Sequence, residues 1–170
     1  ADINMALTLS SLAIDVEADE SQAGATPLLL TAWHGQIQAF NFLQAEDANL
    51  DFKDEKNQNL FHHAANSGTF PNPVLEKMLL IHPEAAQEAD FMGNTPFLCC
   101  CCKGLDEFAG YFLKVAPDTN VDAANDEGYT SLHYAALGGM DTLADMLLSK
   151  HHAEPNVQNK AGATPLILAC

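Results

Sequence analysis

The apolar residues of this chain fall into short blocks that return at a regular interval. Five blocks share one phase: GATPLLLTAWHG (24–35), NQNLFHHAANSG (57–68), GNTPFLCCCCKG (93–104), GYTSLHYAALGG (128–139) and GATPLILAC (162–170). Their first positions are 33, 36, 35 and 34 residues apart, and in each complete block a glycine follows eleven residues after the first position. A Thr or Asn ahead of each apolar run is a helix N-cap, and a Pro after it suits the first helical position, where no amide donor is needed. Gly35, Gly68, Gly104 and Gly139 then stop the helix by supplying a left-handed residue. A second apolar stretch with one-sided helical spacing follows in each unit: Ile37 to Leu43, Val74 to Leu80, Phe108 to Leu113 and Thr142 to Leu148. Polar loops such as Asp51–Asp54 and Asn156–Asn159 lead into the next unit. The extra length of the second unit lies at Phe70-Pro71-Asn72-Pro73, where two prolines predict a lengthened turn between its helices.

A period near 33 carrying Thr-Pro-Leu-His-x-Ala resembles the ankyrin repeat. The matching residues are Thr26-Pro27-Leu28, Thr95-Pro96-Phe97, Thr130-Ser131-Leu132-His133-Tyr134-Ala135 and Thr164-Pro165-Leu166, with a worn copy at Asn59-Leu60-Phe61-His62-His63-Ala64. The resemblance implies an all-α solenoid of stacked helix-turn-helix units: repeats over 24–56, 57–92, 93–127 and 128–161, a degenerate half-repeat or cap over 1–23, and the start of a further repeat at 162–170. Met5 to Leu12 reads as an outer helix of that first half-repeat. Because solenoid ends need polar caps, an array stopping at Leu166 to Cys170 is expected to be a piece of a longer protein. The departures from the motif, among them Leu29, Leu98 and Ile167 where it has histidine, suggest a natural, divergent array.

Charge narrows the function. Seven basic residues, all lysine, face 23 acidic ones for a net charge of −16, which excludes the basic stripe a nucleic-acid binder needs and disfavours an anionic membrane surface. The acidic residues are spread through Asp15–Glu20, Glu46–Glu55 and Glu84–Asp90 and read as a solubilising surface rather than a steering patch. No apolar run reaches the length of a membrane span, and the first residues lack a basic secretory leader. With 48% hydrophobic residues the chain can bury a core. Five cysteines, four of them adjacent, do not form a spaced disulfide framework and favour a reducing, cytoplasmic location; this would be the host cytoplasm if the parent were a secreted effector.

Candidate chemistry is sparse. Cys99 to Cys102 contains a formal Cys-x-x-Cys, but neighbours on a helix point about 100° apart and cannot surround one tetrahedral ion. On the repeat register Cys100 and Cys101 take the two alanine places and Cys99 another packed one, while Cys102 faces the groove. His62 and His133 occupy the motif's histidine position, where the family uses the ring to tie repeats together. His151-His152 beside Glu154 reads as a solvated loop rather than a metal contact. No Ser-His-Asp order, phosphate loop or His-Glu-x-x-His is present, so no enzyme, cofactor or metal is expected. Catalysis by Cys102 with a nearby histidine is a distant third reading.

The surface the family uses completes the expectation. The resemblance implies a cupped array binding another protein, with exposed inner-helix positions as a palm: Trp33-His34, Asn66-Ser67, Cys102-Lys103 and Leu137-Gly138. The loop tips would be Gln22, Ala23 and Ala25; Glu55, Lys56 and Gln58; Phe91, Met92 and Asn94; Asp126, Glu127 and Tyr129; and Lys160, Ala161 and Ala163. Trp33, Phe91, Met92 and Tyr129 are large apolar or aromatic side chains at places expected to be exposed, which marks hot spots. The alternative is a packing role between neighbouring units. A rival function gives the segment to a larger enzyme, such as a bacterial effector or ubiquitin-ligase component, as its target-recognition part. The oligomeric state does not follow from the pattern.

Overall fold

The computed structural model describes residues 25–69 and 71–170. The half-repeat expected over 1–23, with Met5 to Leu12, Gln22 and Ala23, lies outside the described residues, as does Phe70. Among the described residues the secondary structure is helical, without strands: α1 (Pro27–His34), α2 (Ile37–Ala45), α3 (Leu60–Ser67), α4 (Pro73–Ile81), a 3-10 turn (Pro83–Gln87), α5 (Pro96–Cys102), α6 (Asp106–Val115), α7 (Ser131–Leu137), α8 (Asp141–Ser149) and α9 (Pro165–Leu168).

Local chemistry explains the boundaries. The hydroxyls of Thr26, Thr95 and Thr164 accept the amides of Leu29, Leu98 and Ile167, and proline takes the first turn of α1, α5 and α9. These caps satisfy donors that a helix start would leave orphaned. At the other end Gly35, Gly68, Gly104 and Gly139 have φ of 64°, 65°, 72° and 62°, the left-handed geometry that turns the chain back.

The odd-numbered helices stack in one layer, α1 on α3, α3 on α5, α5 on α7 and α7 on α9, and α1, α3, α5 and α7 each pair with the even-numbered helix that follows. The core runs continuously between the layers through Phe40, Leu43, Phe61, Leu75, Phe97, Phe108, Phe112, Leu132 and Leu147. Phe97 and Phe108 both pack on Phe112, with centroids 5.8 and 6.4 Å away. Each such side chain, removed from water, contributes about 1.5–3 kcal/mol.

The long turn of the second unit is built by Asn72, which is fully buried. Its Oδ1 accepts the amides of Val74 and Leu75, and its Nδ2 donates to the Ala32 carbonyl at 2.8 Å. One side chain thus caps α4 and ties it to the end of α1.

Candidate functional site

Four loops project from the starts of the inner helices, and each is folded by one Asx side chain. Asp54 Oδ1 accepts the amides of Lys56 and Gln58; Asp90 Oδ1 those of Met92 and Asn94; Asn125 Oδ1 those of Glu127 and Tyr129; Asn159 Oδ1 those of Ala161 and Ala163. Backbone bonds then join loop to loop: Phe91 N to Lys56 O at 3.1 Å, Asp126 N to Met92 O at 3.0 Å, and Lys160 N to Glu127 O at 2.9 Å. The tips therefore form a ladder with a fixed spacing. All four Asx residues stand three positions before the start of a block, and two of them, Asp54 and Asn159, close the polar loops noted in the sequence.

The ladder sorts the expected tip residues. Phe91 and Met92 are 72% and 65% exposed. Asn94 is a correction: it is buried, its Oδ1 accepting from Asn125 Nδ2 at 3.0 Å and its carbonyl facing His62 Nε2. A side chain pinned between two loops contributes register, not surface. Tyr129 is half-buried, stacked on Tyr134 with centroids 5.2 Å apart.

On the helices, Leu137 is 57% exposed, and Cys102 and Lys103 are exposed as well. Trp33, His34 and Asn66 are half-buried. Trp33 is covered rather than free: its ring meets the edge of His63 at 6.2 Å, and Lys103 Nζ sits 5.5 Å from its centroid. The same Nζ donates to the Asn66 carbonyl at 3.2 Å, so Lys103 leans across two units. Asn66 in turn donates to Gln58 Oε1 at 3.1 Å. Trp33, Asn66 and Lys103 thus form one connected patch, with Cys102 beside Tyr134 leading on toward Leu137. Burial first, and then Cys102, push the Tyr134 hydroxyl up to about 12, so it stays neutral.

The titratable groups beneath this face are committed to structure. His133 Nδ1 accepts the Thr130 amide at 3.1 Å while Nε2 faces the Ala163 carbonyl at 3.1 Å; His62 bridges the Asn59 amide and the Asn94 carbonyl in the same way. Burial, the largest cause, holds His62 below its ordinary value. His63 pairs with Asp54 at 3.0 Å, both side chains 1% exposed. Burial would push the Asp54 carboxyl up, but His63 and the Gln58 and Lys56 amides outweigh it and hold the group below its usual range.

His62, Asp90 and Cys99 bring a ligand atom each within 4.8 Å of one another. His62 Nε2 already faces Asn94 O, Asp90 carries two amides and Gln58 Nε2, and burial pushes the Cys99 thiol far up. This is the chemistry of a tie between units rather than of an ion cradle. Cys99, Cys100 and Cys101 are buried and Cys102 exposed, as the register predicts. A cavity of about 260 Å³ opens on the outer side between Leu50, Phe61, Met78 and His82; its two long charged side chains, Lys53 and Glu88, pair with each other at 3.3 Å. Among the described residues no helix is long and apolar enough to cross a membrane.

Similar proteins extend the picture. The profile of ankyrin repeats in three copies matches residues 61–159. The ankyrin repeat protein OPG189 of variola virus is 29% identical over 106 residues, 62% of this chain and 18% of that protein. Inversin-B of Xenopus laevis is 36% identical over 75 residues, 44% of this chain and 7% of inversin-B. Human inversin is 35% identical over 63 residues, 37% of this chain and 6% of inversin. The chain thus spans less than a fifth of the length of these relatives.

Proposed function

The chain belongs to the ankyrin-repeat family, whose repeats are generally protein–protein interaction modules, and from that premise we propose that it binds a partner protein through its concave face and loop tips, without chemistry of its own. The observation that carries this reading is the run of exposed large apolar side chains, Phe91 and Met92 at a tip and Leu137 on the next inner helix. Large side chains on a rigid ladder lose little further entropy on docking, which is what makes a hot spot. Trp33, His34, Asn66, Cys102, Lys103 and Tyr129 complete the proposed surface. Asn94 supports it from beneath. Five free thiols fit a reducing, cytoplasmic setting.

The test compares capture from lysate of the source cells by the wild type, by a Met92→Asp, Leu137→Asp variant, and by a Leu80→Asp control; Leu80 lies on the outer helix α4 and is 87% exposed. A partner held by wild type and control but lost from the double variant supports the reading. Equal capture by all three overturns it. A second reading is favoured by the length of the relatives: the same surface would select targets for a longer polypeptide, an effector or ubiquitin-ligase component. In that case the double variant of the full reading frame would lose modification of its target while keeping activity on a generic substrate.

A further inference from the structure

We infer that the partner segment taken by this face carries a carboxylate about three residues from a large apolar side chain, with the carboxylate seated on Lys103. The inference rests on the concave-face reading above and adds the chemistry of its ligand. The chain holds 23 acidic residues, yet none of the eight palm positions (33, 34, 66, 67, 102, 103, 137 and 138) is acidic. The carboxylate beneath them, Asp54, is buried and spent on His63 and two backbone amides. Acids flank the palm at the tips, where Glu55, Asp126 and Glu127 are accompanied by Lys56 and Lys160, and at the start of α6, where Asp106 and Glu107 follow Lys103. The palm is therefore an acid-free strip on a strongly acidic protein.

Its charge is a single ammonium held ready. Lys103 is exposed, leans over Trp33 and donates to the Asn66 carbonyl, and among the described residues it forms no ion pair. An ammonium has three donors, so two are left for a ligand. Because Asn66 and Trp33 already fix the long side chain, the entropy that usually weakens a lysine pair is largely spent before binding. The geometry also decides the sign. A partner's cation seeking the Trp33 face would have to displace Lys103 and then lie beside it, whereas a carboxylate displaces nothing. The net charge of −16 opposes an acidic partner at long range, but salt screens that beyond roughly 8 Å, and the contact is local. Leu137 stands one unit further along the inner layer, about 10 Å away at ordinary helix spacing. In an extended segment, at roughly 3.3 Å per residue, the apolar side chain should fall about three residues from the carboxylate.

Random dodecapeptides displayed on phage, selected separately on wild type, Lys103→Met, Lys103→Arg and Leu137→Asp, test this. Wild type should enrich Asp or Glu about three residues from a large apolar residue. Those peptides should bind Lys103→Met about ten-fold more weakly, the scale of one charge-assisted contact, and Lys103→Arg nearly as well as wild type. Peptides that need Leu137 but are neutral or basic, and indifferent to Lys103→Met, overturn the inference and leave the concave-face reading standing. A pool indifferent to Leu137→Asp overturns both. Unchanged far-UV circular dichroism of the exposed-site variants keeps folding out of the comparison.

Discussion

Replacing Gly93 by alanine should cost more than the same change at two other glycines of the same register, and the structure sets the order. Gly93, Gly128 and Gly162 have φ of 75°, 79° and 79°, so each alanine carries the same left-handed strain of about 1–2 kcal/mol. They differ in what the new methyl meets. At Gly93 a Cβ would lie 2.7 Å from both the amide nitrogen and Oδ1 of Asp126; at Gly128 it would lie 3.0 Å from Asn159 Cα and Lys160 N; at Gly162 nothing is within 4 Å. The Gly93 methyl pushes directly on the amide that donates to Met92 O. Losing that bond and shifting the neighbouring loop adds roughly 1–3 kcal/mol. Urea unfolding followed by circular dichroism should therefore rank the losses Gly93→Ala, then Gly128→Ala, then Gly162→Ala. The first should be about 2–5 kcal/mol and the last about 1–2 kcal/mol. Equal losses, or the largest at Gly162, would refute the claim that loop-to-loop contact fixes the tips.

Three further outcomes follow from the same structure. Asn72→Ala removes the cap of α4 and strands the buried Ala32 carbonyl, so chemical denaturation should show a loss of about 2–3 kcal/mol. Stability should fall as pH drops, read as the melting temperature between pH 8 and pH 3. His62 is held below its ordinary 6.5, so the unfolded chain takes up its proton first and the loss begins below about 6.5. Asp54 is held below its ordinary 3.8, and its contribution disappears further into acid; a profile flat or rising toward acid would contradict both. Native alkylation with iodoacetamide, mapped by mass spectrometry, should modify Cys102 and Cys170, which are exposed, and spare the buried Cys99, Cys100 and Cys101.

Much of the fold is legible in the sequence because one local rule repeats. A Thr or Asn cap at a helix start and a glycine nine residues on fix each complete inner helix without reference to its neighbours. The site is only partly legible, since its decisive contacts join residues far apart in the chain. Lys103 covers Trp33, so a tryptophan expected in the open is half-buried. Asn94 occupies a tip position by count, but its side chain is drawn under the ladder by Asn125. The His63–Asp54 pair closes over nine residues between groups that no motif links. The four loop-folding Asx residues are the exception, because each stands at the same three-residue offset before its block.

Site-specific photo-crosslinking tests the central claim most directly. A benzoylphenylalanine placed in turn at 91, 137 and 80, in the protein expressed in its source cells, reports which face a partner touches. The account predicts one common crosslinked protein at 91 and 137 and none at 80. A partner trapped at 80 alone would place recognition on the outer helices and contradict it.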